Sequence, residues 1–203
     1  MVLNEDDHIV SYQEHIDTLH GLLSAVAVTG GAGEALTADQ GFERGIALIG
    51  DVAASGKVMI VGNGGSAAIA GHLAIDLVRN GGVAAMTFNE APSLTCMGND
   101  FGYEEIFSRQ LAIHASAGDL LIAISSSGRS LNILNAVEEG RKQRCRVITL
   151  SGFESDNPLR QSGDLNFYIA SDHYGRVELS HMALCHAFLD LSGGWWRDDA
   201  DRS

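Results

Sequence analysis

Proline, cysteine and basic residues are all scarce in this chain. Two prolines in 203 residues leave long segments free to form uninterrupted helices. The three cysteines, Cys96, Cys145 and Cys185, are odd in number and scattered, with no C-x-x-C pair. That excludes a disulfide framework and a cysteine metal site, and points to a reducing compartment, the cytoplasm. Only 13 Lys and Arg stand against 26 Asp and Glu, for a formal net charge of −13. A general nucleic-acid surface needs clustered cations to displace counterions from phosphates, so no nucleic-acid partner is expected. No apolar run reaches the roughly 20 residues that span a bilayer. The chain start carries Glu5, Asp6 and Asp7 where an export signal would be basic, so no membrane partner is expected either.

What is present describes an ordinary core. Apolar residues make up 45% of the chain, and its length fits one domain. The expected division is N-terminal helices over 1–56, an α/β core over 57–191 and a tail over 192–203. The spacing of Ile9, Tyr12, Ile16, Leu19 and Leu23 predicts an amphipathic helix over 9–28, stopped at Thr29-Gly30-Gly31. Thr37-Ala38-Asp39-Gln40 has capping-box form and opens a second helix, with Phe42, Ile46, Ile49 and Val52 on its buried face. Both helices precede any strand, and their apolar faces must either cover the sheet or meet another subunit, of which the subunit contact is the expectation.

From Lys57 onward, short apolar runs at 58–61, 83–86, 120–124, 146–150 and 165–169 alternate with helical stretches. Runs that are continuously apolar, not alternating, mark parallel strands covered on both faces. The predicted fold is therefore doubly wound α/β: a mainly parallel five-stranded sheet with helices on both faces, preceded by two N-terminal helices. A last helix is expected over 176–191. Beyond it, Trp195-Trp196 is expected to pack onto a neighbouring chain, followed by a frayed acidic tail.

In open parallel sheets, ligands collect beyond the carboxyl ends of the strands, where loops enter helices. Two such junctions stand out, Gly62-Asn63-Gly64-Gly65-Ser66 and Ser125-Ser126-Ser127-Gly128-Arg129-Ser130. In the second, four hydroxyls and free backbone amides meet at a helix N-terminus, which binds phosphate without lysine. The bland alternative is a serine-rich loop that only caps its helix. The first loop lacks the full G-x-G-x-x-G fingerprint, which argues against a dinucleotide. Together the loops point to a small, hydroxyl-rich, phosphorylated ligand.

Taken in order, Gly62-Asn63-Gly64-Gly65-Ser66, Gly98-Asn99-Asp100-Phe101-Gly102, Ile106-Phe107-Ser108-Arg109 and Ile124-Ser125-Ser126-Ser127-Gly128-Arg129-Ser130 resemble the sugar isomerase (SIS) domain of phosphoheptose isomerases. The resemblance covers nearly the whole chain. It implies conversion of sedoheptulose 7-phosphate to D-glycero-D-manno-heptose 7-phosphate through an enediol. That chemistry needs a base for a carbon-bound proton, an acid for oxygen, and a group that polarises the carbonyl. By position, the resemblance implies substrate contacts at Asn63, Gly64, Gly65, Ser66, Asn99, Asp100, Ser125, Ser126, Ser127, Ser130 and Glu178. It implies one Zn2+ per subunit at His72, Asp76, Glu178 and His186, with Asp76 and His186 as the acid/base pair. It also implies a homotetramer whose active sites lie between subunits.

The residues themselves are compatible with that assignment. His72 and Asp76 stand i, i+4 on one helix face, and nitrogen with carboxylate ligands suits zinc. On the last helix spacing leaves a choice open, because His181 also lies one turn from Glu178, about 140° around from His186. Three positions depart from the family pattern: Asp76 replaces the usual Glu, Glu178 the usual Gln, and Gly175 a common Asp. A base displaced by about 1 Å costs on the order of 100-fold in rate, so an altered site is expected. Two alternatives stand beside this one. One is a non-catalytic SIS-fold binding protein resembling the replication initiator-associating protein, which would lack the carboxylate at 76. The other is an isomerase of a different phosphosugar.

Overall fold

A computed structural model describes residues 11–52 and 56–193. Ser11 caps α1 (Tyr12–Ser24) by accepting from the Glu14 N–H. The helix ends four residues short of the predicted 28, because the segment after it is drawn into the sheet. β1 (Ala27–Gly30) turns through Gly33, at φ +82°, into the two-residue β2 (Ala35–Leu36). The capping box then forms in full: Gln40 N–H donates to Thr37 Oγ1 at 3.2 Å, and Thr37 N–H donates to Gln40 Oε1 at 3.0 Å. It opens α2 (Ala38–Val52), whose Phe42 packs on Phe167 and Phe188 with ring centroids 5.0 and 5.2 Å away. The apolar face of α2 thus covers the sheet of its own chain, which corrects the expectation of a subunit contact for this helix. In contrast, α1 has no buried residue and leaves Tyr12 and Ile16 exposed.

The core follows as β3 (Val58–Gly62), α3 (Gly65–Asp76), a π-helical turn (Leu77–Gly81), β4 (Ala85–Thr87), α4 (Ala91–Phe101) and α5 (Ser108–His114). It continues with β5 (Leu120–Ser125), α6 (Leu131–Lys142), β6 (Arg146–Ser151), β7 (Leu165–Tyr168) and α7 (Tyr174–Asp190). The sheet order is β2-β1-β7-β6-β5-β3-β4, with β3 to β7 parallel and the β1–β2 hairpin antiparallel on the β7 edge. Seven strands therefore replace the five predicted. The two additional ones form an edge hairpin whose partner, β7, is remote in sequence, so no local pattern announces it.

Every residue of β3 and β5 is buried. Val58, Ile60, Leu120 and Ile122 join the cluster containing residues of α2, α3 and α7, while Met59, Val61, Leu121 and Ala123 join the one containing residues of α5 and α6. Burial on both faces explains the unbroken apolar runs. From β3 the chain moves outward to β4, returns to β5 on the other side of β3, and continues to β6 and β7. The direction thus reverses between β3 and β5, and the loops at their carboxyl ends flank one crevice. Among the described residues no helix is long and apolar enough to cross a membrane. Trp195-Trp196 and the acidic tail lie outside the described residues.

Candidate active site

The loop after β3 is shaped by its glycines. A Cβ at Gly62 would lie 2.6 Å from the Ser66 backbone, and Gly64 takes φ +54° to start α3. Asn63 exchanges two hydrogen bonds with the buried Asn132: its Nδ2 donates at 2.9 Å, and Asn132 Nδ2 donates back at 2.8 Å. Tyr103 Oη donates to the same Asn63 oxygen at 3.1 Å. Between this loop and the serine loop lies a cavity of about 130 Å³, lined by Asn63, Ser66, Ile124, Ser125, Ser126, Ser127, Ser130, Tyr174 and Glu178.

The hydroxyls of this cavity are not consumed by capping. Ser130 is the N-cap of α6, yet its side chain makes no cap hydrogen bond. Ser126 lines the cavity, and its buried Oγ has no partner among the described residues, a costly state for a polar group. Ser125 Oγ accepts from the Gly128 N–H at 3.2 Å, and Gly128 sits at φ +62° where the Asn157 side chain leaves no room for a Cβ. Arg129, the cation of the loop, is turned outward to Asp156 at 3.1 Å. What the serine loop presents to the cavity is hydroxyl, amide and the positive end of α6, groups suited to an anion, while Glu178 lines the opposite wall.

A second cluster lies further along α3 and α7. His72 Nε2 is 3.2 Å from His186 Nε2 and 3.3 Å from Asp76 Oδ2, and His186 Nδ1 is 3.7 Å from that same oxygen. Among the described residues these three offer ligand atoms within 4.8 Å of one another. His186 turns one ring nitrogen to His72 and the other to Asp76 and can give only one of them to an ion; two imidazole nitrogens and a carboxylate gathered this closely are a donor set whose chemistry suits a divalent cation. The shorter Asp76 still meets both histidines, because α3 and α7 pack closely.

Glu178 does not join that cluster. It lines the hydroxyl cavity instead, and its carboxylate lies against Gly65, where any side chain would collide with it. Asn99 and Asp100, near the end of α4, are exposed and bond to each other at 2.8 Å; they do not line the cavity of this chain. His181 is fully buried, its Nε2 bonded to the Ser151 carbonyl at 3.2 Å, and burial lowers its pKa from 6.5 to about 4. The rotation about α7 thereby decides between the two histidines, putting His186 in the cluster and His181 in the core. Sequence reasoning missed Asn132, Tyr103 and Tyr174; only Asn132, two residues after Ser130, carried a local signal. A larger cavity of about 420 Å³ lies at the opposite end of the sheet, beside Arg44, Arg146 and Asp164, and no candidate site residue lines it.

A switch-point crevice with a hydroxyl-lined anion cradle defines a phosphosugar-type site on an open α/β sheet. Residues 35–152 match the SIS domain family. The chain is 35% identical over 170 residues to the phosphoheptose isomerase of Citrifermentans bemidjiense, which spans 78% of this chain and 88% of that relative. Phosphoheptose isomerase GmhA from Neisseria gonorrhoeae is similar in structure with a TM-score of 0.70 at 30% identity, covering 75% of this chain and 86% of its own. The phosphoheptose isomerase of Francisella tularensis gives a TM-score of 0.77 at 25% identity, covering 94% and 98%. The chain belongs to the phosphoheptose isomerase family and is a phosphosugar isomerase. The binding-module alternative falls with that assignment.

Proposed function

We propose that the protein converts sedoheptulose 7-phosphate to D-glycero-D-manno-heptose 7-phosphate. The observation that carries this reading is the serine-lined cavity at the N-terminus of α6, where the buried Ser126 Oγ has no partner among the described residues, a set of groups that suits a phosphate. Ser125, Ser127, Ser130 and Ser66 complete the cradle, and Asn63 is held in place by Asn132 for a sugar hydroxyl. Eight residues of α7, about 12 Å of helix, separate Glu178 at the cradle from His186. An extended seven-carbon phosphosugar is of comparable length.

His72, Asp76 and His186 are the residues that would hold a Zn2+ ion, which when bound supplies polarisation of the substrate oxygens. Asp76 has a second oxygen and His186 a second ring nitrogen, so each can hold a cation with one atom and move a proton with the other. In this reading one of them removes the carbon-bound proton and the other protonates oxygen on the way through the enediol. Glu178 contacts the substrate and is not part of the cation cluster of its own chain. Asn99 and Asp100 complete the site from a neighbouring subunit of a homotetramer, which accounts for their exposure here. The three unpaired thiols support the cytoplasm as the working compartment.

Incubation of purified protein with sedoheptulose 7-phosphate and Zn2+, followed by detection of the aldose, tests the activity; no aldose at any metal loading refutes it. Elemental analysis tests the cation, and solution scattering showing a 21.5 kDa monomer at micromolar concentration refutes the tetramer. Asp76 and Glu178 also favour a second reading, isomerisation of a different phosphosugar, which a panel of substrates compared by kcat/KM decides.

A further inference from the structure

We propose that the ring of Tyr174 contacts the sugar carbons next to the phosphate and sets which phosphosugars the pocket accepts, and that Phe153 positions it. This deepens the reading of the hydroxyl cavity as a phosphate site and rests on it. Phe153 follows β6 in the left-handed backbone region, at φ +56°. For a bulky residue that conformation is disfavoured, and it persists only where the surroundings hold it. Here they do. Its N–H donates to the Ser171 carbonyl at 2.9 Å, and its own carbonyl accepts from Tyr168 Oη at 2.6 Å. Phe153 is thereby pinned to the end of β7 and to the segment that leads into α7.

Glycine would adopt this backbone without strain, so the use of a phenylalanine lies in its ring. That ring meets Tyr174 edge to face, with centroids 4.7 Å apart at 74°. Tyr174 is the first residue of α7, lines the hydroxyl cavity and remains 54% exposed. An exposed aromatic ring held from behind by a strained residue is a prepared surface, not core filling. A cavity of about 130 Å³ accommodates a phosphate and little more, so the sugar chain must leave it. The carbons nearest the phosphate meet the lining ring of Tyr174, whose apolar face packs against their C–H groups and excludes configurations that would place a hydroxyl there, and the chain then runs along α7 towards His186.

The test compares wild type with Tyr174→Ala, Tyr174→Phe and Phe153→Gly. Binding of sedoheptulose 7-phosphate and of inorganic phosphate is measured by titration calorimetry, and kcat/KM is measured on ketose phosphates of five, six and seven carbons. Tyr174→Ala is expected to weaken sugar-phosphate binding roughly two- to tenfold, the size of one aromatic contact, while inorganic phosphate is unaffected. It also narrows the spread of kcat/KM across the panel by raising KM more than it lowers kcat. Tyr174→Phe keeps the ring and behaves as wild type. Phe153→Gly accepts the left-handed backbone, keeps its far-UV circular dichroism and reproduces the sugar-phosphate loss.

Unchanged sugar-phosphate affinity in Tyr174→Ala, an equal loss for both ligands, or a Tyr174→Phe variant as weak as Tyr174→Ala would each overturn the assignment. The two readings fail separately. A wild type that shows the expected binding pattern but isomerises no ketose phosphate sinks the isomerase reading and leaves the Tyr174 contact standing. A wild type that binds neither ligand sinks both.

Discussion

Acidification should destabilise this protein through His181, and the size of the effect can be worked from its surroundings. The imidazole is fully buried against β6, and its Nε2 faces the Ser151 carbonyl at 3.2 Å. A carbonyl only accepts, so Nε2 carries the proton, and Nδ1 is left as a buried acceptor without a partner among the described residues. Protonating Nδ1 would place a charge and an unmatched donor in the core, which is why burial lowers the pKa from 6.5 to about 4. A group whose pKa is depressed on folding contributes stability that is fully present above the unfolded value and lost as pH falls towards the folded one. The window therefore runs from about pH 6.5 down to about pH 4, and the full loss is about 3 kcal/mol. At pH 5.5 the loss is already about 1.4 kcal/mol, which shifts a urea midpoint by roughly 0.5–1 M. Urea melts at pH 7.5 and pH 5.5 are to be compared between wild type and His181→Gln, which retains a donor for Ser151 but does not titrate. The carboxylates common to both proteins cancel, so wild type should lose about 1.4 kcal/mol more than the variant. Equal losses in the two proteins would refute the reasoning.

Four further outcomes follow from the site. Ser126→Ala removes the unpartnered hydroxyl, so thermal stability should hold or rise while phosphate affinity falls about 10- to 100-fold, as measured by calorimetry. Gly128→Ala forces a Cβ into Asn157 at positive φ and should cost about 1–3 kcal/mol in urea melts, together with phosphate binding. His186→Ala should lower kcat by at least about 100-fold and reduce bound metal in elemental analysis; unchanged turnover would remove His186 from the chemistry. Asp76→Glu, although it restores the residue usual in the family, should lower activity, because His72 and His186 already meet the shorter carboxylate at 3.3 and 3.7 Å. Higher kcat in that variant would show that the site tolerates the longer arm.

Local patterns alone determined much of this protein. The five parallel strands were legible because burial on both faces leaves unbroken apolar runs, and α2 because the Thr37–Gln40 capping box is a contact between near neighbours. The two loops that line the cavity were legible because glycine and serine cluster where each of two strands gives way to a helix. His72 and Asp76 could be paired because a helix fixes the separation of residues four apart. Tertiary structure alone decided the rest. The β1–β2 hairpin exists because β7 offers an edge to it, and no residue near position 27 encodes that edge. On α7, spacing left His181 and His186 equivalent; the packing of α7 against α3 and β6 turned one into the core and the other towards Asp76. The same packing carried Glu178 into the hydroxyl cavity and brought Tyr174 against Phe153. Periodicity is written along the chain, but the convergence of side chains depends on how two helices cross, and that is set by the whole core at once.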